Sequence, residues 1–132
     1  MPPDLSTVPV GLEHAAEREV RLEWTIAHHD PSLPAVLSTP AMIGLMEMAA
    51  GHAVEPALAT GQITVGTRIE VDHLKSCGPG SRVRVWAKYT GPAGRFLAFD
   101  VTAHCGEQLI GRGRVFRAIV DPQRLAGAQK NA

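Results

Sequence analysis

A single carboxylate, Glu47, stands in the middle of the most apolar stretch of the sequence, which runs from Ser38 to Pro56. Burying an unpaired charge costs free energy, so this glutamate either reaches solvent at the edge of its element or has a chemical role. No lysine or arginine lies between Arg21 and Arg68, so a cationic partner must come from a distant part of the chain. A carboxylate in this setting is suited to act as a general base or a nucleophile near neutral pH.

Two other groups of reactive side chains carry weaker signals. His28, His29 and Asp30 are consecutive, and adjacent residues rarely ligate one ion without further ligands nearby, so we predict no metal site. Cys77 lies beside a Gly-Pro-Gly turn with no obvious base, which argues against a thiol nucleophile.

The stretch around Glu47 has the signals of a helix. Ser38 or Thr39 can cap its first amides, Pro40 suits the first helical position, and Pro56 indicates where the helix ends. Apolar residues cover nearly every face, which predicts a buried helix, and the run is too short and too interrupted to cross a bilayer. The free N–H groups and positive dipole at such a helix start could stabilise an oxyanion.

Five segments alternate between apolar and polar residues, the pattern of half-buried strands. They are residues 17–26, 62–74, 82–89, 96–104 and 109–120. Short turns join the last four, so neighbouring strands must be antiparallel, and the helix must be covered by their sheet. The sequence therefore predicts one α+β domain over residues 1–132, with a loose arm at 1–12 and a flexible tail at 121–132.

The composition is that of an ordinary globular protein, with 132 residues, 45% hydrophobic and 20% charged. The formal net charge is zero, which gives no support for a nucleic-acid or membrane-surface partner. The N-terminal residues lack a basic segment followed by an apolar core, so we expect no secretion signal and a cytoplasmic protein with two free thiols.

The order of elements is that of the hotdog fold, in which a curved antiparallel sheet of about five strands wraps one long central helix. Residues 36–50 and 64–74 resemble the fluoroacetyl-CoA thioesterase family of hotdog enzymes. The shared features are a Thr-Pro helix start, a Glu within the helix, a Thr-Val-Gly-Thr segment and a His at the end of the strand. The resemblance covers roughly residues 17–120.

This resemblance implies hydrolysis of an acyl-CoA thioester by an enzyme that is at least a dimer, with active sites at the subunit interface. Thr39, Glu47 and His73 match the family's catalytic residues, and Gly66 matches a glycine near the substrate carbonyl. We expect no metal or redox cofactor, since coenzyme A is part of the substrate. Eight helical residues separate Thr39 from Glu47 by about 12 Å, so either His73 bridges them or two subunits share one site. We expect the second arrangement.

The acyl group is not determined by the sequence. Leu33, Met42 and Met46 are expected to line the substrate site, and methionines adapt to many shapes. Selectivity for fluoroacetyl-CoA goes with aromatic side chains before the helix, and no Phe, Trp or Tyr lies between Thr25 and Ser38. Family membership is therefore predicted without the fluorinated substrate.

Several alternatives stay open. The main one is a non-catalytic module that holds an acyl-CoA or a related acyl thioester in the same cleft. Asp30 is a rival catalytic carboxylate, because another hotdog thioesterase group places an Asp before the helix, although the Gly-His-containing loop of that group is absent. The usual loop of hotdog hydratases is also absent. Arg112, Arg114 and Arg117 could meet the CoA phosphates or simply be solvated on the outer face of the sheet.

Overall fold

The structure, a computed structural model, describes residues 4–130 and the side chains of residues 4–127. Its strands are β1 (Glu13–Glu19), β2 (Ile63–His73), β3 (Arg82–Ala93), β4 (Phe96–Cys105) and β5 (Gln108–Val120). Its α-helices are α1 (Ile26–His29), α2 (Thr39–Val54) and α3 (Pro122–Lys130). None of the helices in this part of the chain is long and apolar enough to span a membrane.

The five strands form one antiparallel sheet in the order β1-β3-β4-β5-β2. The last three strands follow each other as hairpins, as the short turns predicted. The turn after β2 does not join neighbours, because β2 pairs with β5 at one edge while β3 lies beside β1. This loop runs past the start of α2 instead, where the Cys77 carbonyl accepts a hydrogen bond from the Leu37 amide at 2.7 Å.

Helix α2 lies against the concave side of the sheet, mainly across β3 and β1. Its buried residues are Met42, Met46, Ala49, Ala50, Ala53 and Val54. They meet an aliphatic core in which Tyr89 and Phe99 are the largest buried side chains. The predicted arrangement of a sheet wrapped around one central helix is therefore observed.

The prediction that α2 is buried on nearly every face is wrong for one protomer taken alone. One face carries the exposed residues Gly44 and His52 together with the half-buried Glu47, Met48 and Gly51. These positions recur every three or four residues, so they form one stripe along the helix. The sheet covers the opposite side and leaves this stripe uncovered.

The first predicted strand is also wrong. Residues 17–26 were expected to form it, but β1 runs over Glu13–Glu19 and is followed by a 3-10 helix at Leu22–Trp24 and by α1. The Thr25 hydroxyl, in a fully buried residue, donates to the Leu22 carbonyl at 2.6 Å and stabilises this turn. The predicted faces are not observed, because Leu22 is exposed and Thr25 is buried.

The segment before β1 is more ordered than the predicted arm. Residues 1–3 lie outside the described part of the chain, but Leu5–Thr7 forms a 3-10 helix and Val8 is buried in the core. The Gly11 amide donates to the Tyr89 carbonyl and the Tyr89 amide to the Leu12 carbonyl, both at 2.8 Å.

At the other end, α3 occupies Pro122–Lys130, where a flexible tail was expected. The assignment of residues 1–132 to one domain stays a prediction.

Candidate functional site

The hydroxyl of Thr39 and the ring of His73 are hydrogen-bonded within one protomer, with 2.8 Å between Oγ1 and Nδ1. Thr39 is the first residue of α2 and His73 the last of β2, so the fold brings a helix start to a strand end. The Nε2 atom of the same ring is buried and has no partner among the described residues. In one tautomer the threonine donates to Nδ1, and in the other Nδ1–H donates to the threonine.

Ser38, and not Thr39, caps the helix. The Ser38 hydroxyl accepts from the Ala41 amide at 3.2 Å, and the Ser38 carbonyl accepts from the Met42 amide at 3.0 Å. Pro40 has no N–H, so the Thr39 amide is the donor left over in the first helical turn. The expected supply of free helix-terminal donors is thus largely used up, while the Thr39 side chain is free to contact His73.

Glu47 forms an ion pair with Arg117 of strand β5, with 3.0 Å between Oε2 and Nη1. The predicted cationic partner from a distant part of the chain is therefore confirmed. The arginine side chain is 12% exposed and the glutamate side chain 22%, so solvent screens this pair less than a surface pair. The other glutamate oxygen, Oε1, is buried with no hydrogen-bond partner in the described residues.

Strand β2 holds the same arginine in place. The Arg117 Nε donates to the Thr64 hydroxyl and Nη2 donates to the Thr64 carbonyl, each at 2.9 Å. Gly66 stands directly opposite Arg117 in the sheet register. A Cβ atom at Gly66 would overlap Glu47 Oε2, so the missing side chain leaves the space that the carboxylate occupies.

The four residues predicted from the resemblance thus fall into two pairs. Thr39 contacts His73 at the start of α2, whereas Glu47 lies beside Gly66 about 12 Å farther along the helix axis. No hydrogen bond joins the two pairs in residues 4–127. His73 does not bridge them within one protomer.

The pair of Glu47 and Gly66 borders an open cleft of about 650 Å³. Its walls come from the uncovered stripe of α2, from the first residues of β2 and from Arg117. A larger recess of about 910 Å³ lies beside the start of α3, but Asp121 and Arg124 are its only ionisable lining residues. The smaller cleft is the one that contains the predicted site residues Glu47 and Gly66.

Comparison with known proteins shows the family of this chain. The profile of the fluoroacetyl-CoA-specific thioesterase family matches residues 20–123. A fluoroacetyl-CoA thioesterase from Streptantibioticus cattleyicolor is 40% identical over 92 residues, which are 70% of this chain and 66% of the relative. The chain belongs to this family. The predicted resemblance is confirmed.

Solved structures agree with the family assignment. A solved structure of a fluoroacetyl-CoA thioesterase superposes with a TM-score of 0.86 at 32% identity, covering 93% of this chain and 96% of the other. A Thermus thermophilus protein described as a thioesterase superfamily member superposes with a TM-score of 0.85 at 29% identity, covering 94% and 92%. The hotdog fold predicted from the sequence is thereby confirmed.

The other substrate-binding residues predicted for this family member lie away from the open cleft. Met42 and Met46 are fully buried, and their side chains pack where a Cβ atom at Gly111 would stand, opposite His73 in the register. Leu33 is 43% exposed on the loop before α2. Their roles in substrate binding stay predictions.

The rival carboxylate has a local structural role in this loop. Asp30 Oδ1 accepts hydrogen bonds from the Ser32 hydroxyl at 2.7 Å and from the Ser32 amide at 3.0 Å. The bond to the hydroxyl, and then the bond to the amide, lower the pKa of Asp30. His28 and His29 contact each other edge to face, and the described residues contain no group of three or more metal-ligating side chains.

The two thiols lie beside each other and away from the cleft. Cys77 is buried, and burial together with the neighbouring Cys105 thiol raises the pKa of Cys77 to about 12. This thiol is therefore protonated near neutral pH and is a poor nucleophile. The structure agrees with the sequence-based argument against Cys77.

Arg117 is the residue of the candidate site whose contact with Glu47 the sequence analysis missed. It was grouped with Arg112 and Arg114, but those two residues are exposed, whereas Arg117 shares its face with the buried Val115 and Ile119. Side chains alternate along a strand, so its spacing from two apolar residues places it on the inner face. The available signal in the sequence was an arginine at a position that alternation along the strand assigns to the apolar face of β5.

Proposed function

We propose that the chain hydrolyses the thioester bond of a small acyl-CoA and releases the free acid and CoA. The observation that carries the proposal is Glu47, whose Oε1 is buried and unpartnered while Oε2 is held by Arg117 at the edge of a cleft. Family membership supports a thioester as the substrate, since the curated relative is named for fluoroacetyl-CoA. The fluorinated acyl group is not part of the proposal, because no Phe, Trp or Tyr lies between Thr25 and Ser38.

Glu47 Oε1 has the chemistry of a general base. It takes a proton from water while the water oxygen bonds to the thioester carbonyl carbon. The C–S bond then breaks, and its electron pair leaves on the sulfur as CoA thiolate, which accepts a proton. The same oxygen also serves a covalent route, in which it attacks the carbonyl carbon and water cleaves the resulting anhydride.

Thr39 and His73 supply the groups that act on the carbonyl oxygen and the leaving group. The Thr39 hydroxyl or amide donates to the carbonyl oxygen as it becomes an oxyanion. With the ring proton on Nδ1, His73 donates to the Thr39 hydroxyl, whose own proton then serves the oxyanion. With the ring proton on Nε2, the hydroxyl donates to Nδ1, the Thr39 amide serves the oxyanion, and Nε2–H passes its proton to the departing thiolate. Because thiolates are good leaving groups, the proton contributes less here than it would for an amide.

The site is completed by a second copy of the chain. Strand β2 pairs only with β5 in the described residues, so its other edge is available to an antiparallel copy of itself. A two-fold axis midway between Gly66 and His73 would set the partner's His73 opposite Gly66. The midpoint between Thr39 and Glu47 lies beside Gly44, an exposed position where a second helix can approach closely.

The remaining partners follow from the substrate. Arg112 and Arg114 stay candidates for the CoA phosphates, whereas Arg117 is engaged by Glu47 and Thr64. The proposal involves no metal or redox cofactor, no nucleic acid and no membrane, and a cytoplasmic location remains part of it.

Thiol release from a panel of short, branched and aromatic acyl-CoAs tests this proposal. The wild type is measured beside Glu47→Gln, which keeps the shape of the side chain and removes its basicity. We expect turnover in the wild type and a loss of roughly 10²-fold or more in the variant, because general acid–base groups contribute about that factor.

Circular dichroism and CoA-ester binding serve as the controls for this comparison. A folded Glu47→Gln protein that still binds but does not turn over supports the catalytic role. Binding without turnover in the wild type, on every ester tested, would contradict the proposal and favour the non-catalytic binding module.

A further inference from the structure

All three nitrogen atoms of the Arg117 guanidinium are used within one protomer. Two of them bond to Thr64, through its hydroxyl and its carbonyl, and the third bonds to Glu47 Oε2. Since two anchors are on strand β2 and only one on helix α2, the sheet fixes the direction of the guanidinium. The guanidinium in turn fixes the carboxylate, because its N–H donors form a rigid planar fork.

One glycine makes room for this arrangement, and a second lies beside the guanidinium. Gly66 stands opposite Arg117 and has no side chain to displace the carboxylate. Gly51 lies one helical turn after Glu47, and a Cβ atom there would already be 3.5 Å from the guanidinium. Helix and sheet therefore approach each other closely at this point, with the arginine between them.

We infer that Arg117 is a positioning residue that binds Glu47 Oε2 and thereby presents Oε1 to the reacting water or carbonyl carbon, with Thr64 as its anchor. The inference rests on the proposed function of Glu47. A carboxylate with one oxygen held and the other without a hydrogen-bond partner has a defined attack direction, and small errors in such a direction reduce turnover strongly. The competing role, binding of a CoA phosphate, would require the guanidinium to leave three existing bonds.

The inference is tested by steady-state kinetics of Arg117→Lys on the best substrate of the panel. Lysine keeps the charge but cannot bond to Glu47 and to both Thr64 oxygens in one plane. We expect kcat to fall at least about tenfold while KM stays within about twofold, the pattern of an interaction needed in the transition state. The matched control is Arg82→Lys, which makes the same change in the exposed ion pair of Arg82 with Glu17 and should leave both constants unchanged.

A second pair of variants covers the case in which Arg117→Lys does not fold. Thr64→Val removes the hydroxyl that accepts from Arg117 Nε and should lower kcat several-fold without raising KM. Thr64→Ser retains the hydroxyl and should restore kcat, which a loss caused only by altered packing would not do.

The outcomes separate this inference from the proposed function. If Glu47→Gln is inactive but Arg117→Lys and Thr64→Val keep the wild-type kcat, the positioning role is wrong and the function of Glu47 stands. A raised KM with unchanged kcat in Arg117→Lys would likewise overturn it and indicate a contact with CoA. Retained turnover in Glu47→Gln would overturn both.

Discussion

A carboxylate occurs in the otherwise apolar helix α2 because three neighbours accommodate it. Arg117 offers an opposite charge on the inner face of the sheet, Thr64 fixes that arginine, and Gly66 leaves the space. Breaking a largely buried ion pair by removing one partner is costly, so Glu47 and Arg117 constrain each other. One oxygen, Oε1, remains without a partner in one protomer, and unsatisfied buried acceptors of this kind point to a functional role.

Gly66→Ala tests this description at the level of single atoms. The new Cβ would overlap Glu47 Oε2, which is the end of a flexible side chain and can move aside. We expect kcat to fall at least about tenfold, since the carboxylate is displaced, and the thermal midpoint to fall by a few degrees, since the displacement weakens the ion pair with Arg117. Differential scanning fluorimetry and thiol release measure the two quantities.

Gly78→Ala is the matched control for that variant. Gly78 has open space around its Cβ position and lies on the loop after β2. Its replacement should leave both the midpoint and kcat unchanged. Unchanged turnover in Gly66→Ala would contradict the placement of the carboxylate, and unfolding of Gly66→Ala would show that the sheet, not the glutamate, needs this glycine.

At the scale of elements, the start of α2 divides two tasks between consecutive residues. Ser38 caps the helix through its hydroxyl, and Thr39 turns its own hydroxyl toward His73. The helix cap and the contact with His73 are therefore made by different side chains. Ser38 and Thr39 both carry a hydroxyl and stand next to each other before Pro40, so the sequence could not show which one caps the helix and which one contacts His73.

The two roles predict opposite results for two substitutions. Ser38→Ala should lower the free energy of unfolding by about 1 kcal/mol, the usual cost of a lost cap, and keep most of the turnover. Thr39→Val should change the free energy of unfolding by less than about 0.5 kcal/mol, because the side chain is exposed, and reduce kcat roughly 10²-fold. Urea unfolding and thiol release on both variants give the answer; a stability loss in Thr39→Val with normal turnover would reverse the assignment.

The elements that could be predicted from the sequence are those with a long, consistent pattern. The four strands after residue 62 and helix α2 were predicted close to their observed bounds, because apolar periodicity, turns and caps agree there. The strand predicted at 17–26 failed because Leu22–Trp24 forms a 3-10 helix that exposes Leu22 and leads to the buried Thr25, the reverse of the predicted faces. The buried Val8 was missed because a proline-rich segment carries no period even when the core holds it in place.

The candidate site was predictable in its residue types but not in its connections. Glu47 was marked by its isolation in an apolar run, and its need for a distant cation followed from the missing lysines and arginines. The cation that pairs with Glu47 is determined by the register of β5 against β2, and no local sequence pattern contains that register. Arg117 could have been separated from Arg112 and Arg114 only by counting which residues share the apolar face of β5.

At the scale of the whole molecule, the predicted catalytic residues of one protomer form two separate pairs, the two halves of the proposed site. The pair of Thr39 and His73 lies at the start of α2, and the pair of Glu47 and Arg117 lies two turns farther on. Both halves border surfaces that one protomer leaves uncovered, the free edge of β2 and the stripe of α2 around Gly44. A two-fold dimer would cover both surfaces and bring each half to the complementary half of its partner.

The measurement that tests this account most directly is complementation between two inactive variants. Glu47→Gln and His73→Ala are co-expressed with different affinity tags, and the mixed dimer is purified through both tags. Each mixed dimer then contains one site with both changes and one site with neither, so we predict about half of the wild-type rate of thiol release per dimer. A mixed dimer as inactive as its two parent proteins would contradict the shared site and return Thr39, Glu47 and His73 to one protomer.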